Sequence, residues 1–350
     1  MTTPATPPTP NALQTAIRRI ASGDSLDATL ATEAFGTVMR GEGTAAQIAG
    51  LLIGLRVKGE TAAEVTGAAQ ALRAAMLRLP IATSDDLVDT CGTGGGAVPT
   101  FNISTAAALL AAGIGVRIAK HGNRSFTTQC GSADVLEQLG ITLEAPVELA
   151  ARALDEAGIT FMFAPAMHPA MRHVGPVRRE LGIPTVMNIV GPLANPAGAA
   201  RQVVGVAERG RMALLAGALA SLGAAHALVV HGEPGMDEIS PMGLTHVTEV
   251  RDGSVREWTI DPADYGFGGF AAADLKGGSP AENARTIVDV LSGRGGAAAT
   301  AAVVLNAAGA LYVAPGSRSF ADCVRTAADS LASGSGTTAL DRMRKAYSRR

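Results

Sequence analysis

Three short polar stretches contain the residue types from which phosphate-binding sites are built. The first, CGTGGGAVPTFNIST, spans residues 91–105. Its glycines leave backbone N–H groups unshielded, and a helix predicted to begin near Ser104 adds a positive N-terminal end, so the stretch predicts an anion cradle. Asn102, Ser104 and Thr105 can bind phosphate or ribose oxygens there, or a hard metal ion. A plain turn before a capped helix stays an alternative, because short glycine-rich motifs are not specific.

The second stretch, KHGNRS, spans residues 120–125 and follows the apolar run VRIA, a predicted strand. Two cations, an imidazole and an amide at a strand end can neutralise a phosphorylated ligand and orient an amine or carboxylate on its partner. Ser132, at the predicted start of the next helix, can add another phosphate donor. A solvated surface turn is the alternative interpretation.

The third stretch, HGEPGMDEIS, places Asp237 and Glu238 side by side after the predicted strand HALVVHG. Two neighbouring carboxylates on a loop suit Mg²⁺, which prefers oxygen ligands and is often shared between a few carboxylates and substrate phosphates. An ordinary acidic turn is the alternative.

Histidines and arginines of one further segment are also candidates. His168 and His173 lack the spacing of the HExxH zinc motif, so they are expected to be structural or to line a substrate. Arg178 or Arg179 can direct a guanidinium into a cleft between domains, or both can be solvated charges on a helix surface.

The elements that must position these residues fall into two patterns. Residues 1–11 are a Pro/Thr-rich tail predicted to be disordered. Helical periodicity and two capping boxes, which begin at Thr44 and at Thr61, predict a small helical domain over residues 12–80. Residues 165–187 are also helical and polar, and they are predicted to pack onto this domain.

Short apolar strands alternate with helical segments in the rest of the chain. DLVDTC, VRIA, QVVGVA and HALVVHG are the predicted strands. Their alternation with helices predicts βαβ units around a mainly parallel sheet flanked by helices, over residues 81–164 and 188–350. In such a sheet ligands bind beyond the carboxyl ends of the strands, where the three polar stretches lie.

Composition excludes several classes of function. The 350 residues are 47% hydrophobic, with 29 Lys and Arg against 31 Asp and Glu and a net charge of -2, so no basic field is available for nucleic acid. The apolar runs are too short to span a bilayer and no signal pattern begins the chain, which predicts a cytoplasmic protein without a membrane partner. Cys91, Cys130 and Cys323 are too few and too scattered for a disulfide framework.

Eight motifs in this order resemble the anthranilate phosphoribosyltransferase family from about residue 12 to the C-terminus: GTGG, TFNIST, KHGNRS, GSADVLEQLG, HPAMRHVGPVRRELG, NIVGPLANP, GMDEIS and VLNAAGALY. The resemblance implies transfer of the phosphoribosyl group of phosphoribosyl pyrophosphate (PRPP) to the amine of anthranilate, in tryptophan biosynthesis. It also implies Mg²⁺ as cofactor, a fold of the nucleoside phosphorylase and phosphoribosyltransferase type, and a homodimer through the helical domain.

The resemblance also assigns site residues. It implies that Ser104, Asp237 and Glu238 hold Mg²⁺ and that Gly92, Asn123 and Arg178 receive anthranilate. The residues it places around PRPP are Gly92, Gly95, Gly96, Thr100, Asn102, Ile103, Ser104, Thr105, Lys120, His121, Gly122, Asn123, Arg124, Ser125, Phe126, Thr127, Thr128 and Ser132. No protein nucleophile is expected, since a largely neutral aromatic amine can attack unaided, and His121 is a candidate proton acceptor.

Two positions depart from the family pattern. Gly96 stands where the family has aspartate, so Mg²⁺ or PRPP binding is expected to differ, and Met187 replaces a common phenylalanine. A pyrimidine nucleoside phosphorylase, a nucleic-acid-binding paralogue and a transferase acting on another amino-aromatic acid are the alternative functions. KHGN with GPLANP argues against the first, and the charge balance argues against the second.

Overall fold

The computed structural model describes residues 10–125, 129–316 and 318–348 of the chain. Two compact units result: a helical unit, which extends to Met76 and includes His168–Gly191, and a larger unit formed by Leu77–Met167 and the chain from Pro192 onward. Of the predicted tail, residues 1–9 lie outside the described residues. Asn11 is ordered, because its side chain accepts a hydrogen bond from Gln14 N at 2.9 Å and caps the first helix.

Helices and strands alternate through most of the larger unit, and the helical unit contains helices α1–α4, α9 and α10. The helices are α1 (Ala12–Ala21), α2 (Ala28–Met39), α3 (Ala45–Lys58), α4 (Ala62–Ala75), α5 (Ile103–Ile114), α6 (Ser132–Gln138), α7 (Val147–Ala157), α8 (Ala164–Met167), α9 (Gly175–Leu181), α10 (Met187–Val190), α11 (Met212–Ser221), α12 (Pro280–Leu291), α13 (Ala297–Val313), α14 (Phe320–Ala332) and α15 (Ser335–Ser348). The strands are β1 (Val88–Gly92), β2 (Ile118–Gly122), β3 (Ile159–Phe163), β4 (Arg201–Gly205), β5 (His226–Gly232), β6 (Thr245–Arg251) and β7 (Ser254–Ile260).

Capping organises the helical unit. Both predicted capping boxes form, at the N-termini of α3 and α4. In the second box Glu64 is fully buried, and it also accepts hydrogen bonds from Leu26 N at 2.9 Å and Lys58 Nζ at 3.1 Å. This carboxylate therefore joins three segments of the unit, and α9 and α10 pack against α3 and α4 within it.

A mainly parallel sheet forms the centre of the larger unit. Among the described residues it has seven strands in the order β3-β2-β1-β4-β5-β6-β7. The five strands β1 to β5 run parallel, and β6 and β7 add an antiparallel hairpin. Its tight turn contains Asp252 and Gly253, both with positive φ, as a twist-matched hairpin requires. The predicted fold class is confirmed.

Helices cover both faces of the sheet. The larger hydrophobic cluster packs α5, α13, α14 and α15 over one face, and a smaller cluster that includes Leu87, Leu154 and Met162 covers the other. No helix among the described residues has the length and apolar character needed to cross a membrane.

Pairing along β1 is uneven, and this matters for the site. β1 pairs with β4 over five residues, from Val88 opposite Arg201 to Gly92 opposite Gly205. Its pairing with β2, in contrast, consists of Val88 opposite Ile118. The two strands therefore separate toward their carboxyl ends, where the three polar stretches lie.

Candidate functional site

The glycine-rich loop after β1 lies at the carboxyl edge of the sheet and is tied to its neighbours by backbone hydrogen bonds. Thr93 N donates to Gly205 O, and Ala97 N donates to Gly235 O, both at 2.8 Å. Gly94 and Gly95 have φ of 68° and 82°, a conformation that strains residues with a side chain. The loop thus needs its glycines for backbone geometry as well as for open N–H groups.

Asp237 lies directly against this loop. A Cβ built on Gly92 would lie 3.1 Å from Asp237 Oδ2, and one built on Gly96 would lie 2.8 Å from Oδ1. Burial raises the pKa of this carboxyl, and hydrogen bonds from backbone groups, including that of Gly94, oppose the rise. Gly96 therefore makes room for the Asp237 carboxylate.

The N-terminus of α5 meets the second acid of the pair. Ser104 N donates to Glu238 Oε1 at 3.1 Å, so a carboxylate accepts from one of the free amides that begin a helix. Thr105 is buried, and its hydroxyl has no hydrogen-bond partner among the described residues, which leaves a polar group ready for a ligand. Ile103 is fully buried in the core, so it can offer a ligand its backbone alone.

Lys120 supplies a buried cation at the same place. Its ammonium donates to Thr90 O and, at 3.2 Å, to Ser104 Oγ, and the residue is 3% exposed. Burial lowers the pKa of Lys120, and the charges of Asp89 and Glu238 counteract that effect. The first and second polar stretches are thus joined through Lys120 and Ser104.

The crowded setting also changes the pKa of Glu238. Burial, followed by the neighbouring charge of Asp237, raises its pKa to about 8, although Lys120 and Ser104 favour the charged form. Two adjacent acids of this kind repel each other, and a cation placed between them relieves the repulsion.

The strand β2 lies further along the chain than the sequence predicts. VRIA spans residues 116–119, whereas β2 begins at Ile118, and Lys120, His121 and Gly122, expected to follow the strand, are its last three residues. Alternation along the strand puts His121 on the opposite face from Lys120. The prediction is wrong here because a polar run at a strand end has the composition of a turn.

The loop after β2 is held by α6. Asp134 accepts hydrogen bonds from Ser125 N and Gly131 N and pairs with Arg124, which also pairs with Glu137. The hydrogen bonds that Arg124 donates to Glu137 and Asp134 raise its pKa, so this guanidinium is already compensated by two carboxylates. A phosphorylated ligand, which Arg124 is predicted to neutralise, must compete with these two carboxylates for the guanidinium.

Asn123 of the second stretch and Ser132 at the start of α6 make local contacts. Asn123 Oδ1 accepts from Arg124 N at 2.7 Å, and Ser132 Oγ donates to Asn123 O at 3.3 Å. These bonds fix how the loop turns back onto α6. Phe126, Thr127 and Thr128, also predicted around the phosphate ligand, lie outside the described residues.

Two further residues of the first stretch also take structural contacts. Asn102 Nδ2 donates to Cys130 O at 3.2 Å, and Thr100 forms an isolated bridge with Lys276. Both contacts anchor the segment that leads into α5.

Both candidate histidines lie in the helical unit. His168 is buried, and His173 approaches Gly41, where a built Cβ would lie 2.6 Å from its Cε1. These surroundings agree with the structural alternative that the sequence left open for them.

The two candidate arginines lie on α9 of the same unit. Arg178 is half-buried, its guanidinium lies 3.5 Å from Asn188 Oδ1, and burial lowers its pKa. Arg179 is exposed, so of the two arginines Arg178 has the environment of a binding residue.

The donor set fits magnesium better than zinc. Among the described residues no group of three or more His, Cys, Asp and Glu side chains is placed to hold a metal ion. Ser104 and Glu238 are in contact, and Asp237 is the neighbour of Glu238. One hydroxyl and two carboxylates suit Mg²⁺, which keeps several waters and completes its shell with substrate phosphates.

Three buried amide and acid side chains are not recognisable from the sequence. Asn306 of α13 accepts from Ile239 N at 2.9 Å and donates to Ile239 O at 2.8 Å, which fixes the residue after Glu238. Asp89 and Asn195 bond each other beside β2. The two asparagines belong to the motifs VLNAAGALY and GPLANP, and these motifs are the sequence feature that could have pointed to them. Their hydrogen-bond partners, however, lie far away in the sequence.

Comparisons with known proteins show the family of the chain. Residues 14–76 match the helical bundle domain of a glycosyl transferase family, and residues 84–337 match the family's α/β domain. The chain is 50% identical over 332 residues to an anthranilate phosphoribosyltransferase of Rubrobacter xylanophilus, and the match covers 94% of this chain and 96% of that protein.

Two solved structures extend the comparison. Anthranilate phosphoribosyltransferase from Thermus thermophilus superposes with a TM-score of 0.90 at 41% identity, covering 95% of this chain and 99% of that one. The Saccharomyces cerevisiae enzyme in complex with PRPP and Mg gives a TM-score of 0.88 at 25% identity, covering 97% and 98%.

The raised pKa of Glu238 predicts a pH-dependent stability difference. The pKa of Glu238 rises from 4.5 in the unfolded chain to about 8 in the folded protein. The stability that this acid contributes is fully present below pH 4.5 and is lost as the pH rises through about 8. Glu238→Gln stays neutral, so its free energy of unfolding relative to the parent should increase between those pH values and then level. Denaturant unfolding in metal-free buffer measures the difference.

Glu257→Gln is the control, since Glu257 is exposed on β7. If the free-energy difference for Glu238→Gln depends on pH no more than the difference for Glu257→Gln, the raised pKa of Glu238 is contradicted.

Proposed function

The chain belongs to the anthranilate phosphoribosyltransferase family, and we propose that the carboxyl edge of its sheet carries out that family's reaction. The enzyme transfers the phosphoribosyl group of PRPP to the amine of anthranilate, giving N-(5-phosphoribosyl)anthranilate and pyrophosphate. This is the second step of tryptophan biosynthesis from chorismate.

The contacts of one residue, Ser104, give the main support for assigning the reaction to this edge. Lys120 is a buried cation that contacts Ser104 Oγ at the N-terminus of α5, and Glu238 accepts from the amide of the same serine. A helix N-terminus, a buried ammonium and an acid pair in contact are the components that bind a diphosphate together with a divalent cation.

Charge development explains how this edge favours the reaction. Breaking the bond from C1 of the ribose to pyrophosphate leaves positive character on the sugar and negative charge on the leaving group. The Lys120 ammonium, the positive N-terminal end of α5 and the backbone N–H groups of the glycine loop stabilise that negative charge. Ser104, Asp237 and Glu238 would hold Mg²⁺, which when bound neutralises further charge on the pyrophosphate.

We assign the PRPP site to residues of the first two polar stretches and the start of α6. Its backbone donors come from the glycine loop, and its hydroxyl and amide groups come from the N-terminus of α5 and the loop after β2. The described members are Gly92, Gly95, Gly96, Thr100, Asn102, Ile103, Ser104, Thr105, Lys120, His121, Gly122, Asn123, Arg124, Ser125 and Ser132.

We assign anthranilate to Gly92, Asn123 and Arg178. The half-buried guanidinium of Arg178 suits a carboxylate, because partial burial strengthens such a pair. No covalent intermediate is needed, since the aromatic amine is neutral near pH 7 and proximity to C1 provides the rest. We assign His121 as the acceptor of the amine proton late in the step.

The reaction is followed by the fluorescence of anthranilate. Addition of PRPP and Mg²⁺ to the protein should consume the anthranilate emission, and chelation of Mg²⁺ with EDTA should stop the loss. Unchanged emission at high protein concentration would defeat the assignment.

Arg178→Ala tests the anthranilate site. Loss of a carboxylate partner should raise KM for anthranilate at least about tenfold and leave KM for PRPP nearly unchanged. Arg179→Ala, the exposed neighbour, serves as the matched control and should leave both constants unchanged. Equal increases for the two substrates in Arg178→Ala would reject the role.

Gly96→Asp tests the departure from the family pattern. A Cβ at this position would lie 2.8 Å from Asp237 Oδ1, and the added carboxylate would place a second negative charge there. The Mg²⁺ concentration that gives half-maximal rate should shift, and more strongly than in Gly96→Asn, which adds the bulk without the charge. Identical Mg²⁺ titrations of the rate for the parent and Gly96→Asp would show that glycine at this position does not alter the Mg²⁺ dependence.

We also propose that the protein is a homodimer through the helical unit and lies in the cytoplasm. Val57, 81% exposed, and Ile183, 47% exposed, are apolar side chains of that unit that a second copy can cover. Light scattering should give twice the monomer mass for the parent and a lower mass for Val57→Asp at the same concentration. A monomer mass for the parent would contradict the dimer.

A further inference from the structure

The separation of β1 from β2 leaves backbone groups that side chains must satisfy. Past the pair of Val88 and Ile118, the described parts of these strands form no further ladder pair. The N–H of His121 and the carbonyl groups of Ala119 and Thr90 face the opening between the strands. Each is a strong hydrogen-bonding group that is costly to bury without a partner.

A buried acid and a buried amide fill this opening. Asp89 Oδ1 accepts from His121 N at 3.1 Å, and Asp89 Oδ2 accepts from Asn195 Nδ2 at 2.7 Å. Asn195 Nδ2 also donates to Ala119 O at 2.9 Å, and its Oδ1 accepts from Ala197 N at 2.9 Å. We call Asp89 and Asn195 the strand clamp.

Burial of the strand clamp costs free energy. Asp89 is 0% exposed and Asn195 is 3% exposed. A direct ladder between β1 and β2 would satisfy the same backbone groups without burying a carboxylate, whose desolvation is unfavourable. The clamp therefore maintains a strand spacing that ordinary pairing would close.

Lys120 lies between the two clamped residues of β2, Ala119 and His121, and its side chain spans the same opening on the other face. There it donates to Thr90 O and reaches Ser104. Closing the strands would move this ammonium relative to the N-terminus of α5.

We propose that Asp89 and Asn195 are positioning residues for the transfer reaction, which hold β1 and β2 apart so that Lys120 meets the diphosphate of PRPP. This role rests on the proposed function of the sheet edge. Neither residue is placed in contact with PRPP, and both act through the backbone of β2.

Asp89→Asn breaks the clamp with minimal change of shape. The new amide must direct its oxygen at His121 N, which turns its NH₂ group toward the NH₂ group of Asn195. Flipping Asn195 would set its oxygen against Ala119 O and its NH₂ group against Ala197 N. Either arrangement leaves buried groups without partners.

PRPP binding and steady-state kinetics are the main measurements. Asp89→Asn and Asn195→Ala should each weaken PRPP binding at least about tenfold by calorimetry. The PRPP affinity of the double variant should lie within about threefold of that of the single variant that binds PRPP more weakly, because both changes break one clamp. KM for anthranilate should stay within about twofold of the parent value. General damage to the fold would not weaken PRPP binding and leave KM for anthranilate unchanged.

Amide exchange of residues 118–122, which form β2, supplies a readout that needs no ligand. The strand should exchange faster in both single variants, since each change leaves a buried group of the clamp without a partner and lowers the free energy needed to open the strand. If the parent fails to bind PRPP, the proposed function fails while this exchange measurement still tests the clamp.

Trp258→Phe is the matched control, because it removes a partly buried hydrogen bond to Glu249 at 2.8 Å in another part of the sheet. The proposal would be overturned if the clamp variants bind PRPP no more weakly than this control. It would also be overturned if the losses of PRPP affinity add in the double variant, or if PRPP and anthranilate are affected equally. If Asp89→Asn does not fold, Asn195→Ala alone, which keeps the bond from His121 N to Asp89, decides by its PRPP affinity, its KM for anthranilate and the amide exchange of β2.

Discussion

Burial of the Lys120 ammonium is the constraint on which the rest of the site depends. A cation removed from water needs acceptors and counter-charges, and it finds Thr90 and Ser104 in contact and the carboxylates of Asp89 and Glu238 nearby. Since these partners come from β1, α5 and the loop after β5, the cation is satisfied once the whole edge is assembled. The chemistry of the site and the folding of the sheet edge are therefore coupled.

Close backbone approach makes this assembly possible. Gly92 and Gly96 let the Asp237 carboxylate lie against the glycine loop, and Asn306 fixes the chain beyond Glu238. The two acids repel each other, and burial adds to the cost of their charge. A bound cation offsets both costs, as expected for a site that binds a diphosphate together with Mg²⁺.

Local patterns predict much of the fold and the main parts of the site. The capping boxes of α3 and α4, the parallel strands and the polar stretches at their carboxyl ends follow from spacing and residue type. The sequence did not predict β3 or the hairpin of β6 and β7, although Asp252 and Gly253 are a hairpin signal. Long-range contacts account for the rest: Asp89 and Asn195 are 106 residues apart, and no local periodicity relates such a pair.

A crystal structure of the protein with PRPP and Mg²⁺ would decide whether the buried lysine serves the transfer reaction. The diphosphate should lie on residues 92–105 beside the Lys120 ammonium, with the metal ion at Ser104 and the acid pair. Phosphates bound at a place remote from residues 92–105 would show that this edge of the sheet has another role.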